Sequence, residues 1–125
     1  MRWTDLPLTV LDFEGCRRTG VVEIGAVTLH GPTVVAAFTR LCRPRAPIDP
    51  AEARVHGIRQ AEAEATEPFE VEWERFRDAR QAGLLVAHHA PVETLLLRDV
   101  WPYPPVSPGF GMVADAADWG PWIDT

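Results

Sequence analysis

The sequence predicts an α/β fold in which an antiparallel three-strand meander is followed by helices packed on the sheet. Three observations predict it. Residues 6–41 hold three apolar runs separated by short turns containing glycine, the pattern of strands joined as hairpins. Residues 66–82 set Phe69, Trp73 and Phe76 at i, i+4 and i+7, with Glu70, Glu74, Arg77 and Asp78 on the other face of one helix. A brief apolar run at residues 84–87 then separates that helix from a second helical stretch at 91–100, so strand and helix alternate.

The elements follow in order. Residues 6–14, rich in Leu, Val and Phe, form a buried strand, and the polar stretch 15–20, bounded by Gly15 and Gly20, turns the chain. Residues 21–29 and 33–41 form the next two strands, joined through His30-Gly31-Pro32. Residues 43–50 are Pro-rich and form a loop. Asp49-Pro50 then opens a short helix, with Asp49 as its cap and Pro50 at the first helical position, and Gly57 stops it. Residues 66–82 are helical, 84–87 a buried strand, and 91–100 a helix with Pro91 near its start. Four prolines make 101–108 irregular, and the tail from Trp119 is apolar and aromatic.

The chain's 125 residues suit one domain with one core and one site. An apolar fraction of 46% beside 24% charged residues is ordinary for a globular protein and argues against disorder along the whole length. Cys16 and Cys42 are too few for a disulfide scaffold or a four-cysteine zinc site. No apolar run approaches the roughly 20 residues that cross a bilayer. The first residues lack the layout of a secretory leader, so the expected location is the cytoplasm, away from membranes. The net charge is −6 and all 12 basic residues are arginine. The acidic balance argues against broad, sequence-independent attraction to a phosphate backbone, which needs a basic face. It remains compatible with a nucleic-acid enzyme whose acids hold divalent ions.

The placement of certain acids is unusual. In a strand, i and i+2 point to the same side, so Leu8, Val10, Asp12 and Glu14 share a face that starts apolar and turns acidic. The two carboxylates stand about 7 Å apart at their Cα atoms. Either the strand meets solvent at Asp12, or the repulsion is compensated by divalent metal ions, which prefer carboxylate oxygens. Glu93 has Leu96 and Leu97 as its i+3 and i+4 neighbours. It is either a solvated acid near the positive end of its helix or a ligand aimed at a site. His88 and His89 are adjacent, which fits one core ring and one exposed ring better than two ligands of one metal. Glu23 is either a site acid or a structural one. The Trp73 and Phe76 stripe reads as core.

Together these segments resemble the DEDD-type (DnaQ-like) 3′→5′ exonucleases of the ribonuclease H-like superfamily. The family's first motif, an apolar strand ending in Asp-x-Glu and a following strand with Glu-Ile-Gly-Ala-Val, stands here as Leu11-Asp12-Phe13-Glu14 and Val21-Val22-Glu23-Ile24-Gly25-Ala26-Val27. Its His-Gly-Ile element stands as Val55-His56-Gly57-Ile58. Its second motif stands as Ala87-His88-His89-Ala90-Pro91-Val92-Glu93, with Glu93 where the family has aspartate. Ile123-Asp124-Thr125 resembles the strand that opens the final part of the domain.

The resemblance implies a ribonuclease H-like mixed sheet and hydrolysis of terminal phosphodiester bonds of DNA or RNA. It implies two Mg²⁺ or Mn²⁺ ions on Asp12, Glu14 and Glu93, which are thereby the catalytic and metal-holding acids. Val55, His56 and His88 become contacts to the terminal nucleotide of a single strand or 3′ end. The family's third motif, a His or Tyr with an Asp four or five residues later, has no match. The chain therefore reads as a single domain over residues 1–125 that stops before that motif, and the expectation is little or no exonuclease activity. The alternative is a non-catalytic module of the same fold that binds nucleic acid or a protein partner.

Overall fold

The computed structural model describes residues 5–88, 90–101 and 122–125. Three antiparallel strands come first: β1 (Leu8–Cys16), β2 (Gly20–His30) and β3 (Thr33–Leu41). Helices α1 (Pro50–His56) and α2 (Gln60–Glu64) follow, then a turn of 3-10 helix (Phe69–Glu72) that runs into α3 (Trp73–Ala82). Strand β4 (Leu84–Ala87), helix α4 (Ala90–Val100) and the short strand β5 (Trp122–Asp124) complete the order. The sheet runs β3-β2-β1-β4-β5. The meander is antiparallel, whereas β4 is parallel to β1 and β5 to β4, so the sheet is mixed. This is the α/β architecture the sequence predicts.

Local chemistry explains the turns. At the end of β1 the register shifts between Glu14 and Gly15, a bulge that places Gly15 at φ 140°. A Cβ there would meet the Gly20 carbonyl oxygen at 2.1 Å, so only glycine closes this hairpin without displacement. Helix α1 begins and ends as its residues dictate. The Asp49 carboxylate accepts from the Glu52 amide at 2.8 Å, Pro50 opens the helix, and Gly57 ends it at φ 73°.

Thr9, Leu11 and Phe13 face the main core, while Leu8, Val10, Asp12 and Glu14 take the opposite face of β1. On the core side, Phe13, Phe69 and Phe76 meet edge-on at centroid distances of 5.4 to 5.9 Å, and Trp101 closes over Phe69 and Phe76. Leu96 and Leu97 of α4 join this cluster. A second, smaller cluster gathers Val22, Ile58 and Ala63, with Leu41 and Ile48 packed against it.

Two expectations are revised. The helix expected at 66–82 starts later: Pro68 is extended, and the chain passes through the 3-10 turn before α3 begins at Trp73. Helix α2 has no counterpart in the sequence reading. It is five residues long and its N-cap Arg59 makes no side-chain capping bond. Burial of Ala63 against Val22 and Ile58 holds it in place. The irregular stretch expected at 101–108 lies outside the described residues after Trp101, as does the tail before Trp122.

Candidate functional site

The register of the sheet brings the two acidic segments to one end. Leu8, Thr9 and Val10 of β1 stand level with Leu84, Leu85 and Val86 of β4. Continuing that register, Ala87 falls level with Leu11, so the chain leaves β4 where Asp12 and Glu14 begin. Helix α4 starts at Ala90, packs against β1, β2, β4 and β5, and carries Glu93 in its first turn.

Asp12 is exposed and Glu14 partly exposed. Beside Asp12 the next two strands offer Gly25 and Thr39, so the row is small. Asp12 and Gly25 border a shallow hollow of about 420 Å³ on this side of the meander. Glu14 stands directly opposite Glu23. Burial raises the Glu14 carboxyl above its ordinary pKa, the charges of Asp12 and Glu23 raise it further, and His56 opposes them. The charge of Asp12 thus adds to the effect of burial at Glu14, and a hard cation is a physical means of relieving both.

Glu93 is only 4% exposed and lies on the buried side of α4 with Ala90, Leu96 and Leu97. That helix packs on the core face of the sheet, and Asp12 and Glu14 lie on the other face. Among the described residues no group of three or more His, Cys, Asp or Glu side chains is placed to hold a metal ion. The structure thus joins Asp12 with Glu14 and brings the first turn of α4 to their end of the sheet, without gathering the three carboxylates into one ligand set. Asp12 and Glu14 fit a divalent ion by donor chemistry; the complete set is not assembled.

The nucleotide-contact candidates separate. Val55 is 83% exposed at the end of α1. The neighbouring His56 turns inward, its side chain 2% exposed. Its Nδ1 accepts from the Ile58 amide at 3.0 Å, which leaves Nε2 facing Glu52 Oε1 at 3.5 Å. His88 is exposed, with Nδ1 2.9 Å from the Thr125 carbonyl oxygen. His89 lies outside the described residues.

Sequence reasoning passed over Glu52. Its Oε1 accepts from the buried Thr19 hydroxyl at 2.8 Å and faces His56, and its Oε2 lies 3.8 Å from Arg18. It links the β1–β2 turn to the His-Gly-Ile element. The signals were present: Glu52 is three residues after the Asp49 cap and four before His56, a spacing that puts it on one helix face with the histidine.

A mixed sheet with this strand order, carrying an acidic pair at the end of its central strand, defines a ribonuclease H-like nuclease fold. The chain belongs to the exonuclease family: the sequence model of the RNase T group, described as exonuclease, matches residues 3–101. Among solved structures it is similar to exonuclease X in complex with 5′-overhanging duplex DNA, at 30% identity and a TM-score of 0.55, over 82% of this chain and 56% of that one. It also resembles exonuclease I in its apo form, at 14% identity and a TM-score of 0.67, over 78% of this chain and 24% of that one. E. coli exonuclease I in complex with a dT13 oligonucleotide matches with a TM-score of 0.65 at 14% identity, over 77% of this chain and 23% of that one. The chain thus spans little more than half of exonuclease X and about a quarter of exonuclease I. The exonuclease I likenesses establish the fold alone. A comparison with curated protein sequences finds no match. Among the described residues no helix is long and apolar enough to cross a membrane.

Proposed function

We propose that this chain forms the acid-bearing part of a metal-dependent 3′→5′ exonuclease that acts on the 3′ ends of DNA or RNA in the cytoplasm. The observation that carries this reading is the register of β1 and β4 in a member of the exonuclease family, which sets the first turn of α4 at the end of the sheet where Asp12 and Glu14 stand. Asp12, Glu14 and Glu93 are the residues that would hold Mg²⁺ or Mn²⁺, two ions in the full site. Such ions supply Lewis-acid activation and neutralise developing charge when bound. The chain's own residues do the rest. Exposed Val55 packs on the terminal nucleotide, and His88, at the β4–α4 junction, contacts the strand. His56 lies inward, keeping a ring nitrogen toward Glu52.

Calorimetric titration with Mn²⁺ tests the reading. The expected result is binding that Asp12→Ala abolishes. Absence of binding by the parent chain overturns it. A second reading has its own support in the glutamate at position 93 and in the absence, among the described residues, of a three-donor group. In that reading the domain binds a nucleic acid or protein partner without catalysis. Retention of a labelled oligonucleotide in EDTA, together with no Mn²⁺ affinity, favours it.

A further inference from the structure

Strand β5 and the residue after it lie against the end of β4 and the first residue of α4. Strand β5 runs parallel to β4 with Asp124 level with Ala87. One carboxylate oxygen of Asp124 accepts from the Ala90 amide at 2.9 Å. The Thr125 amide donates to the Ala87 carbonyl at 3.0 Å, and the Thr125 carbonyl oxygen lies 2.9 Å from His88 Nδ1.

The Asp124 contact has a specific physical meaning. The first amides of a helix lack partners within it, and Pro91 has no amide to offer. The Ala90 amide is satisfied by a carboxylate from 34 residues further along the chain. A negative charge is also favoured at that end of the helix dipole. Ala90, Glu93 and Leu97 lie on the same buried side of α4, at i, i+3 and i+7. Whatever fixes Ala90 therefore fixes the turn from which Glu93 projects.

We propose that Asp124 is a positioning residue: by capping α4 from a distant strand it sets where the Glu93 carboxyl stands relative to Asp12 and Glu14. This rests on the reading of Glu93 as the third acid. Asp124 touches neither substrate nor metal in this role.

The test uses the 125-residue chain with Asp124→Ala and Asp124→Asn. Two readouts need no metal: the side-chain carboxyl ¹³C resonance of Glu93, assigned with Glu93→Gln, and amide exchange at Ala90. In Asp124→Ala the resonance should move and Ala90 should lose protection. In Asp124→Asn, which keeps the accepting oxygen, both should stay near the parent values. Mn²⁺ affinity, the third readout, should fall about 10–100-fold in Asp124→Ala, the usual cost of removing a group that orients a ligand, and recover in Asp124→Asn. A folded Asp124→Ala with an unmoved Glu93 resonance overturns the proposal. If Asp124→Ala does not fold, Asp124→Ser carries the same readouts with a shorter acceptor. If the parent binds no Mn²⁺, the metal reading falls, and the Glu93 resonance alone decides this one.

Discussion

At Glu14, burial and the charges of Asp12 and Glu23 act in one direction, with His56 opposing, and the result is a carboxyl whose pKa lies above 4.5. The sign of the consequence follows from linkage. Between 4.5 and the raised value the folded chain binds more protons than the unfolded chain, so stability falls as pH rises through that window. At neutral pH the penalty of keeping the charge is fully present. Glu14→Gln removes it. Because Glu14 is partly exposed, solvent screens the repulsion, and the gain at pH 7 should be about a few tenths of a kcal/mol. It should shrink as the pH drops through 4.5, as the folded and then the unfolded parent take up the proton at this position. Urea midpoints of parent and variant at pH 7 and pH 4 check this; a variant less stable at pH 7 would contradict it. The same substitution should weaken Mn²⁺ binding, so stability and metal affinity move in opposite directions, as expected where like charges are held together for a ligand.

At the scale of elements, what the sequence made legible depended on how local the determining chemistry was. Helix α1 could be placed from Asp49, Pro50 and Gly57 because cap, first residue and stop all act within one short segment. The pairing of Asp12 with Glu14 on one face needed only the two-residue period of a strand. The existence of α2 and the capping of α4 by Asp124 depend on partners far along the chain, and no local pattern encodes them. The junction of α3 and β4 is a further case. Gly83 ends α3 at φ −170°, an extended conformation open to any residue. Yet a Cβ there would meet the Pro7 carbonyl oxygen at 1.9 Å, and that same oxygen accepts from the Leu84 amide at 3.0 Å. The requirement is for space, set by a residue 76 positions earlier. Gly83→Ala must push the first residues of β1 and β4 apart, which should cost about 1–3 kcal/mol or more as an overpacking defect. The melting temperature should fall by roughly 5–15 °C. An unchanged melting temperature would mean that the beginnings of these strands are not in contact in solution.

For the whole molecule, the sheet has one long open edge. Among the described residues β3 pairs only with β2, and Val34 and Val35 are 58% and 57% exposed on it. Residues 33–37 carry no charge. A long apolar edge with unpaired backbone groups is a template for pairing with another copy. The opposing force is the net charge of −6, which makes copies repel. The two forces have different salt dependence. The repulsion reaches about 10 Å at 0.1 M salt and about 3 Å at 1 M, whereas strand pairing and apolar contact persist. Self-association, followed by light scattering, should therefore increase with added NaCl. Val35→Glu places a charge on the edge and adds one negative charge to the net −6. It should suppress the salt-induced scattering while changing stability by no more than about 1 kcal/mol, since the side chain it replaces is mostly in water. Scattering that declines with salt would show that charge attraction rather than the β3 edge drives association. Scattering unaffected by Val35→Glu would place the sticky surface elsewhere on the fold.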